Sequence, residues 1–298
     1  MSRFFMADRP VHLFIFVEIC YTEKKGGGTV PKTGTKKERR LLVKWAFAFV
    51  AVLAVMACIF QLLRPWQEPK GAPPPESTGP TASAETFFYD DNGFLCSTTR
   101  PSIPGIDVSH HQGTIDWEQV AQAGVEFAII RLGYRSYRDG LLHEDDRVQE
   151  NLAGAKAAGL KIGAYFFSQA TNTAEAVEEA QFALEILGAT ELELPLVFDW
   201  EYVSDSVPTA QVSGDTLMAC IRSFCQVVEQ AGQEPMVYFN QDLANTKLKL
   251  DLLEYPFWLA KYDDALDYTH EVRCWQYTDK GQIPGITEAV DIDLYFPQ

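Results

Sequence analysis

The chain has 298 residues, 47% of them hydrophobic and 22% charged, which is the composition of a globular protein. Its net charge of −16 is unevenly distributed: residues 1–86 carry 12 Lys and Arg against 7 Asp and Glu, whereas residues 87–298 carry 13 against 34. Because so acidic a region repels nucleic-acid phosphates, we expect no nucleic-acid partner.

The N-terminal part of the chain contains an apolar run that is predicted to cross a membrane. Residues 1–40 are predicted to be a disordered cytoplasmic tail, and the uncharged run Trp45–Leu63 falls within a predicted transmembrane helix at 41–63. Lys and Arg cluster at 36–40, so the positive-inside rule places the N-terminus in the cytoplasm and the rest of the chain outside the cell membrane. The alternative is a cleaved signal peptide, whose apolar core is shorter, at roughly 7–15 residues.

A linker and a set of cysteines follow the apolar run. Residues 64–86 are rich in Pro, Ser and Thr, which is typical of an extended linker. Four cysteines lie beyond it, where an oxidising exterior would permit disulfides in any of three pairings. Buried free thiols are the alternative for at least two of them. The four are Cys96, Cys220, Cys225 and Cys274.

From residue 105 onward, short apolar runs alternate with helical patterns. Strands are predicted at 105–109, 127–132, 161–168, 194–200, 234–239, 256–262, 272–278 and 289–295. Helices are predicted at 115–124, 144–159, 173–188 and 209–232, the last with a Gly-Asp interruption near its start. Asp116 is the expected N-cap of the first helix. This alternation indicates the α/β class with a parallel sheet. For residues 87–298 we predict a TIM-like (β/α) barrel that becomes irregular near its end, where helices are few.

The most informative stretch is LPLVFDWE, where an apolar strand ends at two acids. Because successive strand residues point to opposite faces, Asp199 and Glu201 are expected on one side, with Trp200 packing on the other. Asp107 and Asp291 also stand near the ends of predicted strands, where barrels carry catalytic groups. Crowded carboxyls raise one another's pKa, so one can stay protonated beside an ionised neighbour, as glycoside hydrolysis requires. The alternative is that each acid is a solvated loop residue or a helix cap.

Several motifs together resemble the family 25 glycoside hydrolases, the Chalaropsis-type lysozymes or N-acetylmuramidases. The resemblance extends from Gly105 to Phe296 and is carried by GIDVSHHQGTIDWEQV, FAIIRLGYRS, GAKAAGLKIGAYFFSQATN, LPLVFDWE, PFWLAKYDD, CWQYT and VDIDLY. It implies an irregular β/α barrel that cleaves the β-1,4 bond between N-acetylmuramic acid and N-acetylglucosamine in bacterial peptidoglycan. It implies no metal and no cofactor, and we expect a monomer whose partners are peptidoglycan glycan strands and, through the N-terminal helix, the membrane.

The resemblance also assigns roles to the four acids. Glu201 matches the proton donor, Asp199 the second acid of the D-x-E pair, Asp107 the acid of the opening motif and Asp291 that of the final V-D motif. That final motif usually reads V-D-x-N, but Asp293 stands here at the Asn position. The second acid either attacks C1 or orients the N-acetyl group of the sugar to do so. We favour Asp199 for this second role, with Asp107 as its rival.

Further residues are candidates for contact with the substrate because they lie late in predicted strands. The alternative for the aromatic ones is a place in the barrel core. Arg131 is expected to be a structural partner of a rim acid, and the adjacent pair His110 and His111 is not expected to bind metal. The candidates for substrate contact are Tyr165, Tyr238, Trp258, Gln276 and Tyr134.

Two other functions are compatible with these patterns. One is a wall-binding barrel that has lost catalysis, although the intact D-x-E pair argues against it. The other is a barrel hydrolase of a different N-acetylated glycan, such as chitin.

Overall fold

The computed structural model describes residues 85–298. The predicted tail, the transmembrane helix at 41–63 and nearly all of the linker lie outside these residues. Among the helices formed by residues 85–298, none combines the length and the apolar character that crossing a membrane requires.

The described part begins with a small hairpin and continues into a barrel. Strands β1 (Phe87–Tyr89) and β2 (Leu95–Ser97) pair antiparallel in a sheet of their own. The barrel strands are β3 (Ile103–Val108), β4 (Phe127–Arg135), β6 (Lys161–Ser168), β7 (Leu196–Trp200), β8 (Pro235–Asn240), β9 (Phe257–Ala260), β10 (Cys274–Gly281) and β11 (Val290–Tyr295). A short strand, β5 (Leu142–Glu144), pairs with the end of β4.

The eight barrel strands form a closed ring because β3 pairs with both β4 and β11. Neighbouring strands from β3 through β10 run parallel, whereas β11 is antiparallel to both of its neighbours. The predicted α/β barrel with an irregular final part is therefore confirmed.

Within residues 85–298, five α-helices accompany the strands: α1 (Trp117–Gln122), α2 (Val148–Ala157), α3 (Thr173–Leu187), α4 (Gly214–Gln230) and α5 (Gln241–Thr246). The Asp116 side chain caps α1 by accepting a hydrogen bond from the Gln119 backbone N–H, as predicted. The helix predicted over 209–232 is broken near its start, as its Gly-Asp interruption indicated, into a 3₁₀ turn at Pro208–Gln211 and α4, which Ser213 caps. The start of the helix predicted over 144–159 was also wrong, since Glu144 ends β5 and Asp145 lies in the turn before α2.

Apolar side chains pack in two layers, one inside the barrel and one between the barrel and its helices. Ile129, Val197 and Met236 belong to the inner layer. Trp200 lies in the outer layer, where its indole N–H donates to the Ala170 carbonyl at 3.1 Å. Asp199 lines the barrel mouth instead, so the predicted alternation between Asp199 and Trp200 is confirmed.

The structure pairs none of the four cysteines in residues 85–298. Cys220 and Cys225 are buried on α4, Cys274 is buried on β10, and Cys96 is partly exposed. Free thiols, one of the two alternatives raised by the sequence, are the state that the structure shows.

One close packing contact yields a stability prediction. Gly154 lies on α2 directly against the Trp117 indole, so a methyl group there would collide with the ring. We expect Gly154→Ala to lower the free energy of unfolding by about 1–3 kcal/mol, despite the better helix propensity of Ala. Denaturant unfolding measures this change, and Lys156→Ala on the exposed side of the same helix should change stability by less than about 0.5 kcal/mol. Equal effects of the two substitutions would contradict the packing argument.

Candidate active site

An acid-lined cleft of about 240 Å³ opens at the carboxyl ends of the parallel strands. Asp107 comes from β3, Asp199 from β7 and Asp291 from β11, and Glu201 follows directly after β7. All four of these predicted acids line this one cleft, which we call the acid cleft. The four acids come together because the barrel closes: β3, the first barrel strand, pairs with β11, the last.

Asp107 and Asp291 occupy directly opposite positions on neighbouring antiparallel strands. Side chains in such pairs lie on the same face of a sheet, with Cβ atoms about 4.5–5.5 Å apart. The Gln276 side-chain amide donates to Asp107 Oδ2 at 2.7 Å. This contact fixes the orientation of the Asp107 carboxyl from β10.

Glu201 is held through its backbone, which leaves its carboxyl to face the cleft. Its carbonyl accepts a hydrogen bond from Gln169 Nε2 at 3.1 Å, and the Thr209 hydroxyl donates to Gln169 Oε1 at 2.9 Å. Gln169 is itself fixed by Glu179, which accepts from the Gln169 backbone N–H and is paired with Arg135 at 2.8 Å. A buried network of hydrogen bonds through Gln169 therefore fixes the position of the Glu201 backbone.

Asp199 stands beside Tyr238 of β8 and Phe167 of β6 in the strand register. It is buried, and its Oδ1 atom has no hydrogen-bond partner among residues 85–298. A buried carboxyl oxygen without a donor is costly, unless it is protonated or a bound molecule supplies the missing contact.

Burial and mutual repulsion raise the pKa of each of the four acids. Burial, and then the charge of Glu201, holds the pKa of Asp199 well above its usual value, although nearby Arg131 opposes this shift. Burial and the charge of Asp291 raise the pKa of Glu201. Burial and Asp279 raise the pKa of Asp291 to about 6. The cluster can therefore hold a proton near neutral pH while a neighbouring acid is ionised.

Asp107 is also in hydrogen-bond contact with a fifth acid, Asp293, which is fully buried beneath the cleft. Asp293 Oδ1 accepts from the Trp258 indole N–H at 2.8 Å, and the Cys274 thiol lies 3.9 Å from the same atom. No N–H, hydroxyl or thiol group of residues 85–298 donates to its Oδ2 atom. Burial and the charge of Asp291 hold the pKa of both Asp107 and Asp293 well above its usual value. Asp293 raises the pKa of Asp107 further, whereas the contact with Asp107 lowers that of Asp293, so the pair can share a proton.

The predicted substrate-contact residues divide into two groups. Tyr165, Tyr238, Trp258 and Gln276 line the acid cleft together with the acids. Trp258 forms part of its floor, since it is only 2% exposed and its indole N–H is bound by Asp293. Tyr134 lies outside the acid cleft, in a neighbouring cavity of about 550 Å³.

That neighbouring cavity continues the acid cleft along the barrel mouth. The two share His111, Arg131 and Phe167 in their walls. Arg131 pairs with the buried Asp145, to which its Nε donates at 2.8 Å; Asp145 does not line the acid cleft, so this partner differs from the rim acid expected. The cleft and this cavity therefore adjoin at the barrel mouth.

Three residues that shape the site were not predicted from the sequence. Tyr262 lines the acid cleft and donates from its hydroxyl to Gln276 Oε1 at 3.1 Å; its place at the end of a predicted strand was the available signal. Gln169 and Glu179 act through the backbone of Glu201, and no local pattern marks such long-range contacts. In the range 85–298 there is no group of three or more His, Cys, Asp or Glu side chains arranged to hold a metal ion.

Comparisons with known proteins agree with this geometry. The autolytic lysozyme of Clostridium acetobutylicum is 27% identical over 196 residues, which are 65% of this chain and 56% of that protein. Lysozyme M1 of Streptomyces globisporus is 27% identical over 200 residues, 63% of this chain and 66% of that protein. The chain thus spans roughly half to two thirds of the length of these curated relatives.

Solved structures share the fold. The modular autolysin LytC from Streptococcus pneumoniae, determined in complex with a synthetic peptidoglycan ligand, aligns with a TM-score of 0.60 and 28% identity over 70% of this chain and 50% of that one. The bacterial lysozyme from Streptomyces coelicolor aligns with a TM-score of 0.56 and 25% identity, over 66% of this chain and 93% of that one. Residues 106–286 match the profile of the glycosyl hydrolases family 25, and the chain therefore belongs to that family.

Proposed function

We propose that this protein hydrolyses bacterial peptidoglycan by cleaving the β-1,4 bond between N-acetylmuramic acid and N-acetylglucosamine. The observation that carries the proposal is the convergence of Glu201 with Asp107, Asp199 and Asp291 in one cleft of a family 25 barrel. The lysozyme names of two relatives and the peptidoglycan ligand of the LytC structure support this choice of substrate.

In the proposed mechanism, Glu201 is the acid and then the base. Its raised pKa favours the protonated form, so it can donate to the glycosidic oxygen as the C1–O bond breaks and the leaving sugar departs as an alcohol. A protonated Glu201 no longer repels the charge of Asp199, and Arg131 favours the Asp199 carboxylate. Asp199 supports the positive charge that develops at C1. It does so either by attacking C1 or by orienting the substrate's N-acetyl oxygen to attack. The Glu201 carboxylate then takes a proton from water, which attacks C1, and the two displacements retain the anomeric configuration.

Digestion of purified peptidoglycan tests the reaction and its bond specificity. After borohydride reduction, mass spectrometry should find N-acetylmuramitol at the new ends, because cleavage leaves N-acetylmuramic acid as the reducing sugar. Reduced N-acetylglucosamine ends would contradict the proposed bond, and the absence of new reducing ends would contradict hydrolysis. Parallel digestion of chitin separates this activity from that of a chitin hydrolase. NMR of the first product anomer tests retention.

We also propose that the protein works as a monomer at the outer face of the cell membrane. The uncharged run at 45–63 and the basic cluster before it support a single anchor with the barrel outside. All four acids of the cleft come from one chain, which is consistent with a monomeric enzyme. Membrane fractionation with protease treatment of intact cells tests the location. Recovery of the native protein in the soluble fraction would contradict it.

A further inference from the structure

The hairpin of β1 and β2 precedes the residues that match the family. Its residues Phe94 and Leu95 are buried in the domain core, and Phe87 packs edge-on against Trp275 with ring centroids 5.0 Å apart. The hairpin is also tied to the mouth of the barrel, because the Tyr89 hydroxyl donates to Asp264 at 2.6 Å. It is therefore fixed to the domain by both apolar and polar contacts.

Between the hairpin and the barrel lies a cavity of about 460 Å³, which we call the hairpin cavity. Tyr89, Tyr262 and Tyr277 line it, together with Asp264 and Asp279. Tyr89 is 53% exposed and Tyr262 55% exposed, which is unusual for two large aromatic residues that border one depression.

The hairpin cavity adjoins the acid cleft, since Tyr262 lines both. The charge of Asp279, on the wall of the hairpin cavity, also acts on Asp291 in the acid cleft, which places the two cavities side by side. A polymer that crosses the acids in this direction would next meet Tyr262 and then Tyr89.

We propose that the hairpin cavity is a distal glycan-binding subsite, in which Tyr89 and Tyr262 contact a sugar ring of the strand being cleaved. Exposed aromatic faces suit the apolar C–H face of a pyranose, and neighbouring carboxylates accept hydrogen bonds from sugar hydroxyls. The hydrogen bond from Tyr89 to Asp264 holds the aromatic ring in position. This inference rests on the proposed function for the identity of the polymer.

The test compares Tyr89→Ala with Phe88→Ala in the full chain. Phe88 neighbours Tyr89 on the same strand and is 51% exposed, but it points to the opposite face and does not line the hairpin cavity. We expect Tyr89→Ala to raise the KM for long glycan strands roughly 2- to 10-fold, which is the range for loss of one aromatic contact. It should leave the cleavage of a tetrasaccharide fragment unchanged, and Phe88→Ala should alter neither. Tyr89→Phe keeps the ring and should retain more than half of the affinity.

Sedimentation with insoluble peptidoglycan, in the background of the Glu201→Gln variant, measures the subsite without turnover. There, Tyr89→Ala should weaken binding by the same factor, whether or not the wild type hydrolyses the polymer. Equal losses for Tyr89→Ala and Phe88→Ala, or no loss for Tyr89→Ala, would overturn the subsite. Failure of the wild type to release reducing ends would instead contradict the proposed hydrolase activity.

Discussion

Replacement of Glu201 with Gln is expected to reduce peptidoglycan hydrolysis by about 10²- to 10⁴-fold, because the amide cannot give a proton to the leaving oxygen. The substitution keeps the shape of the side chain. It also leaves intact the hydrogen bond that Gln169 makes to the Glu201 backbone carbonyl. The loss should therefore appear in kcat, while the melting temperature stays within a few degrees of the wild type.

The matched control for this variant is Glu191→Gln, which makes the same chemical change at an exposed position before β7. We expect it to retain full activity. Hydrolysis by Glu201→Gln at more than about one tenth of the wild-type rate would remove Glu201 from the role of general acid. Asp199→Asn offers a second comparison, since the proposed mechanism gives Asp199 a different task in the same cleft.

The parts of the site that the sequence predicted are those that depend on local geometry. Strand alternation alone placed Asp199 towards the cleft and Trp200 in the outer layer. The alternation of strands and helices likewise indicated a barrel, and a barrel gathers strand-end residues at one rim. Asp107 and Asp291 are far apart in sequence, yet this topological rule was enough to predict that they share a cleft.

What the sequence could not predict depends on contacts between distant segments. The short hairpin strands β1 and β2 have only three residues each, too few for a period of two to be recognisable. They are stabilised by packing on the domain, including the contact of Phe87 with Trp275. The Gly-Asp interruption in the 209–232 pattern indicated a break near its start. The capping role of Ser213 was not recognised, because a serine inside a helical pattern looks like an ordinary polar residue.

The contact between Asp107 and Asp293 also depends on long-range register. Asp291 lies opposite Asp107, and Asp293 lies opposite Gly105, so Asp107 and Asp293 are diagonal neighbours on one face of the sheet. Only the pairing of β11 with β3 brings the two carboxyls into contact. The sequence indicated that Asp293 replaces the usual Asn, but it did not show what the exchange does.

Asp293→Asn is expected to stabilise the protein increasingly as the pH rises above about 4. In the folded wild type the pair of Asp107 and Asp293 holds a proton that the unfolded chain, with ordinary Asp pKa values near 3.9, releases. The unfolded state therefore binds fewer protons, and the free energy of unfolding falls by about 1.4 kcal/mol per pH unit until the folded pair loses its proton. An Asn amide would donate to Asp107 at every pH, so the variant avoids this loss.

Denaturant unfolding of the full chain at a series of pH values measures this difference, and Asp91→Asn is the control because Asp91 is exposed. The control should keep a constant difference from the wild type, whereas the advantage of Asp293→Asn should grow with pH. Asp293→Leu distinguishes the effect of the shared proton from the effect of the hydrogen bonds. Leucine can neither accept from the Trp258 indole N–H nor donate to Asp107. This substitution should destabilise the protein at every pH, by about 1–3 kcal/mol for each buried polar group left unpaired. If the free energies of unfolding of the wild type and Asp293→Asn changed in parallel with pH, the two acids would share no proton. Asp107 would then be ionised in the folded protein independently of Asp293.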